Sequence, residues 1–197
     1  MAAPLKILVA EDEPLSAMAL QAQLEAMGHT VIGPARDGRQ AVDLAEANPI
    51  DLALLDVRMP RLSGLEAADE IFRIRHVPII MLSGYSDPEL IDRASRAPVF
   101  HYLVKPVSMQ DLGPAITVAL TRFQEWQHFQ DEAHDLERKL EDRKLIEKAK
   151  GVLMDVRGLS EADAYRLLQK ESQNRNQPMV EIARSVLMAD SLLRDHA

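Results

Sequence analysis

The chain of 197 residues contains no cysteine, which removes a disulfide framework, a zinc finger, an iron–sulfur site and a thiol nucleophile from consideration and fits a reducing cytosol. Any metal must be held by oxygen or histidine. Long hydrophobic runs are missing as well. The longest apolar stretches, such as LALL and VPIIML, fall far short of the roughly 18 residues needed to span a bilayer. A soluble, cytoplasmic chain with no membrane partner is expected. The opening MAAPLKILVA runs straight into EDE with no small-residue cleavage site, so it reads as a strand and not as a secretion signal. A basic excess is also lacking. The net charge is −8, and residues 1–112 carry 10 Lys and Arg against 16 Asp and Glu, 113–140 carry 3 against 5, and 141–197 carry 10 against 10. Phosphate-binding surfaces usually show a basic excess, so charge leaves the role of the neutral C-terminal segment open.

What the chain does have is 47% hydrophobic residues, enough for one good core and a smaller satellite domain. Apolar runs of strand length fall at 5–10, 30–32, 52–55, 77–82 and 102–104, and amphipathic helical patterns lie between them at 14–27, 38–47, 63–74 and 87–97. Continuous apolar strands separated by helices predict a five-stranded parallel sheet covered on both faces, a doubly wound α/β domain over about residues 4–107. Gly28 should end the first helix, Gly33-Pro34 should close the second strand, and Asn48-Pro49 should break the chain before the third.

Beyond residue 107 the pattern turns helical. Ser108 and Asp111 look like a helix start, and Gly113-Pro114 should kink it or delay it by removing a backbone donor. Ile116, Ala119, Phe123 and Trp126, then Phe129, Ala133, Leu136 and Leu140, recur at three-four spacing with a slip between 126 and 129. That suits a coiled-coil seam in a helix roughly 60 Å long, which cannot bury its stripe alone. Dimerisation through the seam is expected, with packing along the chain's own first domain as the alternative. Ser160 with Glu161 and Asp163 marks the start of a further helix, and Pro178 occupies a first-turn position of the last. The division is therefore 1–112, a coiled-coil linker at 113–140, and a three-helix head at 141–197.

Ligands of a doubly wound sheet bind at the carboxyl ends of its strands. Glu11 and Asp12 follow the first strand, Asp56 the third, Ser83 the fourth and Lys105 the fifth, so they should converge on one crevice. Each alone has a plain explanation as a helix cap or a solvated side chain. Together they make a chemical set, because three crowded carboxylates repel one another unless they share a cation, and oxygen ligands with room for water suit Mg²⁺. Asp56 is then placed to attack a phosphoryl group in line, while the metal, a lysine and a hydroxyl neutralise the transferring oxygens. Asp12 would bind the metal directly and Glu11 directly or through water.

The segments ILVAEDE at 7–13, LLDVRMPRLSG at 54–64, IIMLSG at 79–84 and YLVKP at 102–106 resemble the response-regulator receiver family over about residues 4–112. The resemblance implies a flavodoxin-like fold, a phosphoacceptor at Asp56, a sensor histidine kinase as phosphodonor, and the backbone carbonyl of Arg58 as a further metal ligand. It also implies that Ser83 and Lys105 bind the phosphoryl oxygens and that Tyr102 is an aromatic switch. One departure stands out: Ala97-Pro98-Val99-Phe100 replaces the Gly-Ala that receivers commonly carry before the fifth strand.

The segment RKLIEKAKGVLMDVRGLSEADAYRLLQKES at 143–172 resembles the ANTAR family of antitermination regulators, and the match extends to about residue 193. Leu153, Met154, Leu168 and Ala183 among its marks also read as core, Gly158 as a helix stop and Ser160 as a cap. The resemblance implies binding to paired RNA hairpins, with unpaired loop bases read and the backbone held by cations. Lys148, Lys150, Arg157, Arg166, Lys170, Arg175 and Arg184 are the exposed polar candidates for contact, each equally readable as part of a solvated face. Two other outputs stay open: a DNA-binding transcription regulator, and a phosphate-relay protein that docks partner proteins. The last helix begins Pro178-Met179-Val180-Glu181, which is poor in the side chains a DNA recognition helix carries at its start. An enzyme acting on small metabolites is not expected, since phosphoryl handling accounts for every chemical residue found.

Overall fold

The computed structural model describes residues 3–84 and 98–194, with side chains in the last helix to residue 192. The helix expected at 87–97 and residue Ala97 lie outside the described residues. The elements are β1 (Lys6–Ala10), α1 (Pro14–Ala26), β2 (Thr30–Ala35), α2 (Gly38–Ala47), β3 (Leu52–Asp56), α3 (Gly64–Arg75), β4 (Ile79–Ser83), β5 (His101–Val104), α4 (Met109–Arg157), α5 (Glu161–Arg175) and α6 (Met179–Arg194). The chain separates into two compact units, Met1–Gln127 and His128–Ala197.

In the first unit the five strands pair in parallel in the order β2-β1-β3-β4-β5. Side chains alternate across a strand, and each face of this sheet has its own core. Leu8, Ala10, Ala53, Leu55, Ile79 and Met81 pack with α2 and α3 on one face. On the other, Ile7, Val9, Leu52, Leu54, Ile80 and Leu82 pack with Leu20 and Leu24 of α1 and with Leu112, Ala115 and Ile116 of α4. The strands are therefore apolar at every position. Helices leave β1 and β3 toward opposite faces, which opens a crevice at their carboxyl ends, where the strand order reverses.

Two local expectations are corrected. Gly33-Pro34 does not close β2, which runs on to Ala35. Gly33 takes φ +109° and the register against β1 shifts between Leu8 and Ala10. A side chain at Gly33 would come within 2.7 Å of the Val9 carbonyl, so the glycine lets the strand bulge and continue. Nor does Gly113-Pro114 delay α4, which starts at Met109. Pro114 lies in the second turn, and the burial of Leu112, Ala115 and Ile116 against the sheet outweighs the one donor it removes. Ser108 supports this start by hydrogen bonds from its N–H and hydroxyl to the Asp111 carboxylate at 3.1 and 2.6 Å.

The apolar stripe along α4 divides into two parts. Ile116 (4% exposed), Ala119 and Phe123 (8%) are buried in the first unit, and Trp126 is half-buried. The Phe123 and Trp126 rings are stacked 5.8 Å apart and meet Phe72 of α3 and Phe100 ahead of β5, with centroids 5.1–6.4 Å apart. Phe129, Leu136 and Leu140 are 65%, 59% and 54% exposed, with Ala133 exposed between them. Positions 116–126 thus pack on the chain's own domain, and only 129–140 remain as an open seam.

In the second unit, Ile146, Ala149 and Leu153 of α4 pack with Ala164, Leu167 and Leu168 of α5 and with Ile182, Ala183, Val186 and Leu187 of α6. Ser160 caps α5 by accepting from the Asp163 N–H at 3.2 Å, and Asn176 ends it in the left-handed region. Pro178 stands one residue ahead of α6, its carbonyl accepting from the Glu181 N–H at 3.0 Å.

Candidate phosphorylation site and output head

β1 and β3 end side by side, and that register brings the acidic residues together. One carboxylate oxygen from each of Glu11, Asp12 and Asp56 lies within 4.8 Å of the others. Glu11 and Asp56 are buried and Asp12 is exposed. Backbone bonds place Glu11 and the chain around Asp56. The Glu11 N–H donates to the Ala35 carbonyl at 2.9 Å and the Val57 N–H to the Leu82 carbonyl at 3.0 Å. The Arg58 N–H, two residues beyond Asp56, donates to Asp56 Oδ1 at 3.3 Å. The Gly64 N–H donates to the Val57 carbonyl at 3.0 Å, and a side chain at Gly64 would sit 1.8 Å from the Asp56 carbonyl. The loop that carries Arg58 closes this tightly only with glycine at its end.

Lys105 reaches into the cluster from the end of β5, whose place beside β4 is fixed by the Lys105 N–H bonding the Ser83 carbonyl at 2.8 Å. Its ammonium lies 2.6 Å from Asp56 Oδ2 and 2.6 Å from Glu11 Oε2. Burial works against the charged lysine, but hydrogen bonds and charge from Asp56 and Glu11 outweigh it and hold the ammonium above the usual lysine pKa. Burial likewise pushes the Glu11 carboxyl up, partly offset by Lys105 and reinforced by the Asp56 charge. Glu11 Oε2 is buried and, beyond its ion pair with Lys105, has no partner among the described residues, so it keeps acceptor capacity. Three converging carboxylates with acceptor capacity to spare fit a hard divalent cation with oxygen ligands.

Ser83 is buried at the end of β4, and among the described residues its hydroxyl makes one long contact of 3.5 Å to the Leu103 carbonyl. Tyr102 is half-buried against the α2–α3 face of the core. Its hydroxyl is buried without a hydrogen-bond partner among the described residues, and burial raises its pKa. Phe100 occupies the departure noted before β5. Its N–H bonds the Ile79 carbonyl at 2.9 Å, its carbonyl accepts from Arg122 at 3.2 Å, and its ring joins the aromatic cluster. The sequence reading missed this cluster, although Phe72 and Phe100 were its visible signal.

Lys148, Arg157, Arg166, Lys170, Arg175 and Arg184 are exposed. Arg166 pairs with Asp163 at 2.9 Å, Arg175 with Glu171 at 3.2 Å and Arg184 with Glu181 at 3.6 Å. Lys150 contradicts the expectation of exposure. It is 6% exposed, with its ammonium 2.8 Å from both Glu147 and Glu161, and these hydrogen bonds hold its pKa above the ordinary value. Its position on the inner side of α4 makes it a tie between α4 and the start of α5.

Comparison with known proteins matches a family to each of two parts of the chain. Residues 7–117 match the response regulator receiver domain and residues 134–187 match the ANTAR domain. The transcriptional regulatory protein PdtaR of Mycobacterium tuberculosis is 42% identical over 186 residues, covering 94% of this chain and 91% of that one. The receiver domain of a modulated diguanylate cyclase from Desulfovibrio desulfuricans superposes with a TM-score of 0.58 at 34% identity, covering 61% of this chain and 97% of that one. The receiver domain of the sensor histidine kinase PA1611 from Pseudomonas aeruginosa, solved with magnesium in its active site cleft, gives 0.55 at 32% identity, covering 60% and 99%. No helix among the described residues is long and apolar enough to cross a membrane. With the acidic cluster and Lys105 at the switch point and a three-helix head matching the second family, the chain belongs to the response regulators that join a receiver domain to an ANTAR output domain.

Proposed function

We propose that the chain is an RNA-binding antiterminator switched by phosphorylation of Asp56. The observation that carries this reading is the joining of an acidic cluster paired with Lys105 and an ANTAR head in one chain. Asp56 takes the phosphoryl group from a phosphohistidine of a sensor kinase: its carboxylate oxygen bonds to phosphorus, the P–N bond breaks, and the imidazole keeps the electron pair and takes up a proton. Glu11, Asp12, Asp56 and the carbonyl of Arg58 would hold Mg²⁺, which would supply charge neutralisation there. Lys105 and Ser83 hold the phosphoryl oxygens, with Lys105 moving off the carboxylates it pairs with at rest. The Tyr102 hydroxyl has no hydrogen-bond partner among the described residues, so no such bond fixes the ring where it is, which suits an aromatic switch.

The output follows the division into a receiver at 1–112, a linker at 113–140 and a head at 141–197. The open seam of Phe129, Ala133, Leu136 and Leu140 pairs with the same seam of a second copy, and phosphorylation favours this homodimer. Because the head carries 10 cations and 10 anions, one copy binds RNA weakly. Two linked heads raise the effective concentration at an adjacent hairpin, on the order of 10² to 10⁴ in avidity. Binding of paired hairpins then keeps a terminator from forming. The test measures affinity of the phosphorylated full chain for a two-hairpin RNA, for each hairpin alone and for duplex DNA. Much tighter binding to the paired hairpins is expected, and preference for duplex DNA or equal affinity for one hairpin and two would overturn the proposal.

A further inference from the structure

The head carries a groove of about 420 Å³ between the end of α4 and the facing sides of α5 and α6. Leu153, Leu168 and Ile182 form its buried floor, and Leu167, Val186 and Ala189 its more exposed walls. Two guanidinium groups also line it, Arg157 from the last residue of α4 and Arg175 from the last of α5. Arg175 is held by Glu171, which lines the groove as well. Arg157 has no ion-pair partner among the described residues. The Ser185 hydroxyl is turned back to the Glu181 carbonyl at 3.0 Å.

We propose that this groove receives one unstacked base of an RNA loop, with Arg157 and Arg175 on the flanking phosphates. The inference rests on the reading of the head as a hairpin-binding module and names the place on it where the loop is read. A base splayed out of a loop has lost its stacking partners and needs apolar surface for its faces, while its phosphates need cations at the same place. The groove is where the head offers both. Arg166, Lys170 and Lys148 do not line it, so they contribute phosphate contacts at most. Arginine suits the phosphates because its planar fork binds them bidentately. The Glu171 carboxylate accepts hydrogen bonds and donates none, so it favours a base whose free edge presents N–H donors. Its carboxylate also disfavours an acidic peptide as the occupant.

The experiment uses the full chain and a fluorescein-labelled pool of RNA stem-loops with a randomised loop. The tightest stem-loop is then remade with each loop nucleotide abasic in turn. The wild type should lose about tenfold in affinity at one loop position, and Arg157→Ala should weaken the intact stem-loop by a similar factor and lower the salt slope by about 1. Ala189→Trp fills the groove, so it should weaken the intact stem-loop and no longer distinguish that abasic position. Circular dichroism checks that the head stays helical. If Ala189→Trp disturbs it, Arg157→Ala and the abasic series still decide. Wild-type binding that neither variant changes, or that only Lys170→Ala weakens, would overturn the groove as the site while leaving RNA binding intact. A phosphorylated wild type that binds neither these stem-loops nor a two-hairpin RNA would overturn the RNA reading itself.

Discussion

Phe123→Ala is the substitution that separates the two parts of the α4 stripe. Phe123 is 8% exposed and its ring lies 5.2 Å from Phe100, 5.8 Å from Trp126 and 6.4 Å from Phe72. Truncating a phenylalanine buried this well costs about 3–5 kcal/mol, since the lost burial and the cavity add, and domains of this size have only about 5–15 kcal/mol in hand. Phe129, six residues on, is 65% exposed, and Phe129→Ala should stay within about 0.5 kcal/mol. Urea unfolding of the full chain reads both through Trp126, the sole tryptophan, which sits in the cluster itself. With a slope of about 2 kcal/mol per molar, the Phe123→Ala midpoint should fall by roughly 2 M, and that of Phe129→Ala should not move. Equal losses in the two variants would show that the stripe is one surface and refute the division.

Gly64→Ala would press a methyl group into the Asp56 carbonyl; an overpacking loss of about 1–3 kcal/mol is expected, read as a lower melting temperature with slower phosphodonor labelling. Lys150→Ala should lower the melting temperature of the head, whereas Lys150→Met, which keeps the packing, should recover most of it and leave hairpin affinity unchanged; a loss of affinity in the folded Met variant would return Lys150 to the RNA surface. The Asp37 carboxyl lies below its ordinary value of 3.8, chiefly through the Gln40 N–H and then through Arg61. A depressed carboxyl stabilises above the unfolded value and loses that contribution as pH falls through the folded one. Asp37→Ala should therefore cost more melting temperature at pH 7 than at pH 3, and an equal deficit at both would contradict the assignment.

Most of the receiver was legible in the sequence because its strands are apolar on both faces and its chemical residues stand at strand ends. Leu52, Ala53, Leu54 and Leu55 form a continuous apolar run with no alternation to misread, and Glu11, Asp12, Asp56 and Lys105 converge where the topology requires. What the sequence hid was decided by tertiary contacts. Gly33-Pro34 looks like a stop in isolation, yet the neighbouring strand accepts the bulge. Gly113-Pro114 looks like a break, yet the sheet holds the helix through it. Spacing alone does not tell a seam for a second copy from packing on the chain's own domain, and Phe72 and Phe100 decide that for residues 116–126. Lys150 reads as solvated because nothing in a one-dimensional pattern places Glu161, eleven residues away, beside it.

The central claim is that the state of Asp56 governs what the head binds. Its most direct test is the affinity of the full chain for a two-hairpin RNA with and without a small-molecule phosphodonor and Mg²⁺, beside Asp56→Asn under the same conditions. Phosphodonor should tighten wild-type binding severalfold or more and leave Asp56→Asn, which takes up no label, at the resting level. An affinity that ignores the phosphodonor, or an Asp56→Asn chain that is labelled and activated like the wild type, would contradict the account.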